Sequence, residues 1–268
     1  MNVYALQYSI AWEEKAQNQA LLRKQLELVR PQPGSLVVLP ELSCIGFTMR
    51  RPGLAENEGE ETQRFYAEMA RQHQVYLIGG ASWWGDQGLG RNMALVLNPQ
   101  GELLGCYAKQ HPFSYGGETQ HYQAGADFFR FDWCGCRVAP LICYDLRFPE
   151  TFRHLAVQGV QFFVVIANWP SARVHHWEAL LLARAIENQA YVLGVNRVGD
   201  DPKVNYPGSS RLIDPQGKVV ASLDNQPGIL QASLDMSELL AYRARFPALA
   251  DLHPGQLGLS GLASAHKA

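Results

Sequence analysis

Apolar positions along the chain follow two periods, one typical of buried strands and one typical of amphipathic helices. Residues 3–9 predict a strand, and Leu22, Leu26 and Val29 then form an i, i+4, i+7 stripe that stops at Pro31. Further apolar runs predict strands at residues 35–39, 75–80, 92–97, 102–107, 137–142, 162–167 and 191–196, and helices through residues 65–69, 152–155 and 174–189. This alternation predicts an α/β fold in which helices cover a sheet.

Two turn tetrapeptides indicate an internal repeat. Asn98-Pro99-Gln100-Gly101 and Asp214-Pro215-Gln216-Gly217 carry proline at the second position, as hairpin turns do, and begin 116 residues apart. The strands before them, from Val75 and from Tyr191, are separated by the same distance. We therefore expect two pseudo-equivalent halves. Two sheets packed face to face give a four-layer α-β-β-α sandwich, predicted as a single domain over residues 1–268 with a loose tail after His253.

Composition and charge narrow the functional classes. The 268 residues are 47% hydrophobic and include 23 basic and 25 acidic side chains, which gives a formal net charge of −2. Without a strong positive field, binding to nucleic acid or to a membrane surface is not expected, and the predicted partner is a small molecule. No apolar run approaches the roughly 18 residues of a membrane span, and the N-terminus lacks the pattern of a signal peptide. We expect a cytoplasmic protein.

The cysteines agree with a reducing compartment. They are odd in number and show no disulfide framework, so we interpret all five as free thiols: Cys44, Cys106, Cys134, Cys136 and Cys143. A free cysteine is most often a small buried core residue, which is the interpretation of the first four. Cys134-x-Cys136 has no second pair at metal-ligand spacing, so no metal site is predicted.

Three polar residues follow closely on predicted strands. Glu41 comes after residues 35–39, Lys109 after residues 102–107, and Cys143 after residues 137–142. Side chains beyond the carboxyl ends of strands can converge in one crevice. A cysteine there can act as a nucleophile if a base such as Glu41 takes the thiol proton and a cation such as Lys109 stabilises the oxyanion. Taken alone, a glutamate or a lysine after a strand is usually a solvated surface residue.

The residues around these positions resemble the motif blocks of the nitrilase, or carbon-nitrogen hydrolase, superfamily. The blocks are Leu39-Pro40-Glu41, the run YAKQH at residues 107–111 and the run LICYDLRFPE at residues 141–150, in that family's order and spacing. A fourth stretch at residues 167–189, which begins ANWPSAR, is similar to the omega-amidase branch. The resemblance covers residues 2–247.

The resemblance implies an amide hydrolase that works through a cysteine thioester, with Cys143 as nucleophile, Glu41 as base and Lys109 as oxyanion stabiliser. It implies that Glu118 is the second glutamate of the site and that the backbone N–H of Tyr144 completes the oxyanion hole. The resemblance implies no cofactor. It implies a homodimer or a larger homo-oligomer. The implied substrates are water and the omega-amide of a small dicarboxylic acid, such as 2-oxoglutaramate or succinamate.

The substrate-binding residues are less sharply defined. Pro112-Phe113-Ser114-Tyr115 stands where the family often has Leu and Phe, so the pocket wall built by this loop is expected to differ. Arg147, four residues after the nucleophile, can bind a substrate carboxylate through two hydrogen bonds or serve as a structural ion-pair partner. For Arg173 we favour a structural role. Phe47 and Trp169 are candidate pocket walls, although an aromatic residue near a strand end is more often core.

Other functions stay open at this point. A cysteine-histidine dyad needs a histidine near Cys143, and the candidates are His111, His121, His154, His175 and His176. No G-x-S-x-G elbow of a serine hydrolase and no H-E-x-x-H zinc motif is present. A deaminated glutathione amidase, a carbamoylase or a nitrilase would use the same fold. A catalytically silent binding or scaffold protein is the alternative outside enzymes, and the presence of Glu41, Lys109, Cys143 and Glu118 together argues against it.

Overall fold

Two six-stranded sheets and a separate pair of short strands form the β-structure of the chain, for which a computed structural model describes residues 1–253. In chain order the strands are β1 (Asn2–Gln7), β2 (Leu36–Val38), β3 (Tyr76–Trp84), β4 (Gly90–Leu97), β5 (Leu103–Ala108), β6 (Phe131–Trp133), β7 (Cys136–Ile142), β8 (Phe162–Ala167), β9 (Tyr191–Asn196), β10 (Val198–Asp200), β11 (Asn205–Pro207), β12 (Arg211–Ile213), β13 (Val219–Ser222) and β14 (Gly228–Ser233). The first sheet has the order β14-β1-β2-β3-β4-β5, the second has the order β13-β12-β9-β8-β7-β6, and β10 pairs with β11.

The two large sheets repeat one pattern of strand directions. In the first sheet β1, β2 and β3 run parallel, β4 and β5 continue as an antiparallel hairpin, and β14 joins β1 antiparallel. In the second sheet β7, β8 and β9 run parallel, β12 and β13 continue antiparallel, and β6 joins β7 antiparallel. Strand β3 therefore corresponds to β9, and the hairpin β4–β5 corresponds to β12–β13. This topology confirms the two pseudo-equivalent halves predicted from the repeat.

Helices cover the outer face of each sheet. The α-helices of the described chain are α1 (Lys15–Val29), α2 (Glu61–His73), α3 (Pro149–Val157), α4 (Val174–Asn188) and α5 (Met236–Arg245). Leu22 of α1 and Phe65 of α2 pack on the first sheet, and Phe152 of α3 and Trp177 of α4 pack on the second. Helix α1 ends where Arg30 takes a left-handed conformation with φ 47°, one residue before the proline that cannot continue the helix. None of the helices within residues 1–253 is both long and apolar enough to cross a membrane.

The core between the sheets follows from the alternation of side chains along each strand. On β1, Val3 and Ala5 belong to the apolar cluster shared with the second sheet, whereas Tyr4 and Leu6 belong to the cluster under α1 and α2. The same alternation holds on β2, β3 and β4. Both faces of the first sheet are thus buried, and the layer order is α-β-β-α, as predicted.

Predicted and observed elements differ mainly at their ends. Strands β8 and β9 have the predicted bounds, whereas β3 continues past residue 80 to Trp84 because it keeps its pairing with β4. Strand β1 ends at Gln7, two residues before the predicted end. Cys134 lies exposed in the turn between β6 and β7, so its interpretation as a buried core residue is wrong, whereas Cys44 and Cys136 are buried. The predicted loose tail after His253 lies outside the described residues.

Gly80 on β3 allows the segment after β2 to lie directly against the sheet. A Cβ atom at this position would be 2.2 Å from the backbone nitrogen of Leu42 and 2.7 Å from the carbonyl carbon of Glu41. Because these are backbone atoms, they cannot rotate away as a flexible side chain would. Glycine at position 80 therefore sets the place of Glu41 relative to the sheet.

We expect Gly80→Ala to lower the free energy of unfolding by about 1–3 kcal/mol, the usual cost of overpacking. Gly228→Ala on β14 is the matched control, because its Cβ would meet the nearest side chain at 3.4 Å. It should change stability by less than about 0.5 kcal/mol. Urea unfolding of both variants measures the difference. If Gly80→Ala unfolds at the same urea concentration as the control, the close approach does not constrain the backbone.

Candidate active site

Four side chains named from the sequence meet in the interior. Glu41 lies after β2, Lys109 after β5, Glu118 in a short 3-10 turn (Glu118–Gln120), and Cys143 at the start of a 3-10 turn that follows β7. Their exposed fractions are 0%, 1%, 0% and 8% respectively. The surface role that Glu41 and Lys109 would have if taken singly is therefore wrong, since both are enclosed by the protein.

The ammonium group of Lys109 lies between two carboxylates. Its Nζ donates to Glu41 Oε1 at 2.9 Å and to Glu118 Oε2 at 2.8 Å. Burial alone would lower the pKa of Lys109, but the charges of Glu118 and Glu41 outweigh burial and raise that pKa well above its ordinary value. Lys109 is therefore a permanent cation in this site.

Hydrogen-bond donors satisfy the remaining carboxylate positions. The Asn92 amide donates to Glu41 Oε1 at 2.7 Å and to Glu118 Oε1 at 2.9 Å. The backbone N–H of Asn168 donates to Glu41 Oε2 at 2.8 Å, and the backbone N–H of Phe113 donates to Glu118 Oε2 at 2.6 Å. Each oxygen of both carboxylates thus has a partner, which buried charges require.

Asn92 and Asn168 were not singled out from the sequence. Asn168 follows the last residue of β8, and Glu41 lies a short distance after β2. The observation that polar residues follow strand ends, which drew attention to Glu41, could therefore also have drawn attention to Asn168. Asn92 is a buried amide in strand β4, directly before the apolar run at residues 93–97. An amide at such a position is a signal, because a buried polar group needs a partner.

Cys143 has a strained backbone and a neutral resting thiol. Its φ is 47°, a left-handed conformation that residues other than glycine rarely take. Its Sγ points to the backbone carbonyl of Asn168 at 3.9 Å. Burial and the charge of Glu41 raise the pKa of the thiol well above its ordinary value, more than the charge of Lys109 lowers it. A base is therefore needed before this sulfur can attack.

The carboxylate of Asp145 holds the turn that carries the thiol. It accepts hydrogen bonds from the backbone N–H of Ile142 at 3.0 Å, from the backbone N–H of His111 at 3.0 Å, and from the hydroxyl of Tyr107 at 2.9 Å. Asp145 is fully buried. The sequence placed it within the third motif block but gave it no task, and the structure makes it the anchor between Cys143 and the segment after β5.

The five histidines proposed for a dyad have other partners. Within residues 1–253 no histidine shares a hydrogen bond with Cys143. Four of the five contact another polar side chain: His111 with Asp145 at 2.8 Å, His121 with Arg51 at 3.4 Å, His154 with Gln158 at 2.6 Å and His176 with Arg147 at 3.1 Å. The ring of His175 packs on that of His176, with 4.2 Å between the centroids. The geometry therefore favours Glu41 over histidine as the base. The same residues contain no cluster of three His, Cys, Asp or Glu side chains placed to hold a metal ion.

A cavity of about 420 Å³ opens over Cys143. Phe47, Tyr144, Arg147 and Trp169, all named from the sequence, line it. The loop at residues 112–115 contributes the aromatic side chains of Phe113 and Tyr115 to the wall. Besides these two and Tyr144, the aromatic residues of the wall are Trp12, Phe47, Trp169 and Tyr206. The cavity is therefore largely apolar, and Cys143 forms part of its wall.

The cations of the cavity lack the ion-pair partners expected for structural arginines. Arg147 has its guanidinium carbon 4.8 Å from the centroid of Trp169, and Arg173 has its own 5.4 Å from the centroid of Phe113. Among the described residues, neither has a carboxylate within 4.0 Å. Asp201 is the acidic residue of the wall, and its carboxylate accepts from the Tyr206 hydroxyl at 2.6 Å. Arg147 and Arg173 thus present unpaired positive charge at the cavity.

The class of protein follows from the fold and the site taken together. A four-layer sandwich of two like halves, with a thiol, an ammonium and two carboxylates buried where the halves meet, agrees with the predicted resemblance to the nitrilase superfamily. The family model described as carbon-nitrogen hydrolase matches residues 2–244. The chain belongs to this family. It is an enzyme that acts on amides, with a small-molecule amide and water as substrates, so the silent scaffold alternative is set aside.

Relatives of known name lie in the predicted branch. The chain is 37% identical over 253 residues to the omega-amidase YafV of Escherichia coli strain K12, a match that spans 94% of this chain and 96% of the relative. It is 30% identical over 253 residues to 2-oxoglutaramate amidase of Bacillus subtilis, spanning 93% and 96%. The crystal structure of XC1258 from Xanthomonas campestris, a CN-hydrolase superfamily protein with an arsenic adduct in the active site, has a TM-score of 0.89 at 33% identity and spans 94% and 97%. The omega-amidase-like resemblance is confirmed.

The charge arrangement makes Lys109 a stability residue as well as a site residue. We expect Lys109→Met to lower the free energy of unfolding by about 3–5 kcal/mol, because it leaves two buried carboxylates without their cation. Lys203→Met is the matched control, since Lys203 lines the same cavity but is exposed. It should unfold like the wild type. Urea titration followed by circular dichroism checks both, and a Lys109→Met protein of wild-type stability would contradict the ion-pair arrangement.

Proposed function

We propose that the enzyme hydrolyses the omega-amide of a small dicarboxylic acid, of the 2-oxoglutaramate or succinamate type, through a thioester on Cys143. The observation that carries the reaction is the burial of Lys109 between Glu41 and Glu118 beside this thiol. The names omega-amidase and 2-oxoglutaramate amidase among the relatives support the substrate class.

In the first half-reaction Glu41 takes the proton of the Cys143 thiol, and the sulfur attacks the amide carbonyl carbon. The carbonyl oxygen becomes an oxyanion, which the Lys109 ammonium and the backbone N–H of Tyr144 stabilise. Glu41 then returns its proton to the nitrogen, the carbon-nitrogen bond breaks, and ammonia leaves. The product on the enzyme is a thioester.

In the second half-reaction Glu41 takes a proton from water, and the resulting hydroxide attacks the thioester carbonyl. The same two donors stabilise the second oxyanion. The carbon-sulfur bond breaks, the sulfur recovers its proton from Glu41, and the carboxylic acid is released. Glu118 does not exchange protons in this scheme. It holds the Lys109 ammonium in place, as its 2.8 Å contact with Nζ supports.

Arg147 is the proposed partner of the substrate carboxylate. It lines the cavity that contains Cys143, and its guanidinium has no carboxylate partner in the described chain. A guanidinium binds a carboxylate through two parallel hydrogen bonds. Phe47 and Trp169 are proposed as walls along the carbon chain of the substrate. A neutral amide would leave the Arg147 charge unpaired in a mostly apolar cavity.

We further propose a single domain over residues 1–268, a cytoplasmic location and a homo-oligomeric state. Five free cysteines support a reducing compartment. One family model matches residues 2–244, and the match to the Escherichia coli relative spans 94% of this chain and 96% of that relative, which supports one domain. Sedimentation of the purified chain measures the oligomeric state directly.

Replacement of the nucleophile tests the reaction. Cys143→Ala should fold and release no ammonia from succinamate, because no group remains to form the thioester. Cys106→Ala, in strand β5 and half-buried, is the matched control and should keep its turnover. In the wild type, rapid quenching and mass spectrometry should detect the chain with the succinyl group attached at Cys143. Ammonia release by Cys143→Ala at the wild-type rate would rule out the mechanism.

The substrate class is tested with succinamate and the neutral amide butyramide. We expect wild type to prefer succinamate in kcat/KM, and Arg147→Lys to lose about 1.5–3 kcal/mol of that preference, as for a hydrogen bond to a charged group. Lysine is a point charge and cannot make the two-pronged contact. Arg245→Lys, on the exposed side of α5, is the control. Equal turnover of both amides by wild type would remove the omega-amidase proposal, and an unchanged preference in Arg147→Lys would assign the carboxylate to another residue.

A further inference from the structure

His176 is the polar partner of the Arg147 guanidinium in the described chain. It is the third residue of α4, is half-buried, and has its Nδ1 3.1 Å from Arg147 Nη2. A guanidinium can only donate hydrogen bonds, so the imidazole nitrogen in this contact must be the unprotonated acceptor. The ring hydrogen of a neutral His176 is therefore on Nε2.

The surroundings of His176 favour this neutral form. Partial burial lowers its pKa, and the neighbouring His175, Arg147 and Arg173 lower it further. The position in the first turn of α4 acts in the same direction, because the positive end of a helix dipole disfavours a cationic ring. His176 is thus a hydrogen-bond acceptor for Arg147 Nη2.

The aromatic contacts of Arg147 leave its guanidinium free to rotate in its own plane, and the hydrogen bond to His176 removes this freedom. The guanidinium carbon lies 4.8 Å from the centroid of Trp169 and 5.8 Å from that of Tyr144. Contacts with ring faces restrain the position of a planar cation, but they do not select which of its N–H edges points in a given direction. A hydrogen bond at Nη2 selects that edge.

We propose that His176 is a positioning residue for substrate specificity, which fixes the rotation of the Arg147 guanidinium so that its free N–H groups meet the substrate carboxylate. This inference rests on the proposed function, since it assigns to Arg147 the carboxylate of the amide. It predicts that His176 affects acidic amides through Arg147, without contact between its own ring and the substrate.

Two amide substitutions test whether the position of the acceptor atom matters, or only that the side chain is polar. Asn at position 176 places an amide oxygen close to the location of Nδ1, whereas Gln places it near that of Nε2. We expect His176→Gln and His176→Phe to lower the ratio of kcat/KM for succinamate over butyramide by about threefold to tenfold, the effect of one hydrogen bond. His176→Asn should keep most of the ratio. His154→Phe is the control and should keep the wild-type ratio, because His154 lies on α3, has Gln158 as its polar contact and does not line the cavity.

A double-mutant cycle with Arg147→Lys distinguishes positioning from general damage. If His176 acts through Arg147, His176→Gln should change the ratio much less in the Arg147→Lys protein than in wild type. A structural defect would lower the ratio equally in both. Thermal unfolding of each variant shows whether it is folded, and the comparison of Asn with Gln remains valid if the Phe variant does not fold.

The possible failures are distinguishable. Equal turnover of the two amides by wild type would overturn the proposed function and this inference with it. A wild-type preference that Arg147→Lys removes and His176→Gln retains would overturn the inference alone. Equal losses in the Asn and Gln variants, or independent effects in the cycle, would also overturn it.

Discussion

A primary ammonium group that leaves water loses several kcal/mol of hydration, and in this protein Lys109 is compensated by two carboxylates at 2.9 and 2.8 Å. Those carboxylates are themselves fully buried, so they need Lys109 and also the donors Asn92 and the backbone N–H of Asn168. Removal of one member leaves another charge without a partner. The site therefore forms as one unit, and the segments after β2 and β5 and the turn at Glu118 are held in register by it.

This arrangement also bears on the state of Cys143, the proposed nucleophile. Two carboxylates and one ammonium sum to a net charge of −1, so a thiolate at Cys143 would add a second negative charge within the same buried volume. Burial, together with that charge, raises the pKa of the Cys143 thiol and favours its neutral form. In the proposed mechanism the proton then moves to Glu41, whose carboxylate is already held by Lys109, Asn92 and Asn168. Burial of the whole group thus disfavours a permanent thiolate at Cys143.

The sequence was informative where the signal is local. Strand ends brought Glu41, Lys109 and Cys143 forward, and the motif blocks around them implied their roles. The turn tetrapeptides with proline predicted the repeat. All of these signals depend on neighbouring residues. Asn92 and Asn168 were missed since their roles arise from contacts with Glu41 across 51 and 127 residues of chain. The sequence did not indicate that Glu41 and Lys109 are buried, because their contact also joins distant parts of the chain. Each looks like a surface residue until its partner is known.

The two halves contribute different parts of the site. The first supplies Glu41, Lys109 and Glu118, and the second supplies Cys143 and most of the cavity. The halves meet through the hydrogen bonds of Asn168 to Glu41 and of Tyr107 to Asp145, the latter at 2.9 Å. Because the apolar core between the sheets fixes their separation, it also fixes the distance from the Glu41 carboxylate to the Cys143 thiol. A shift of one sheet by about 1 Å would misalign the reacting groups without any change in the residues that carry the chemistry. Core packing is therefore part of the geometry that the proposed mechanism needs.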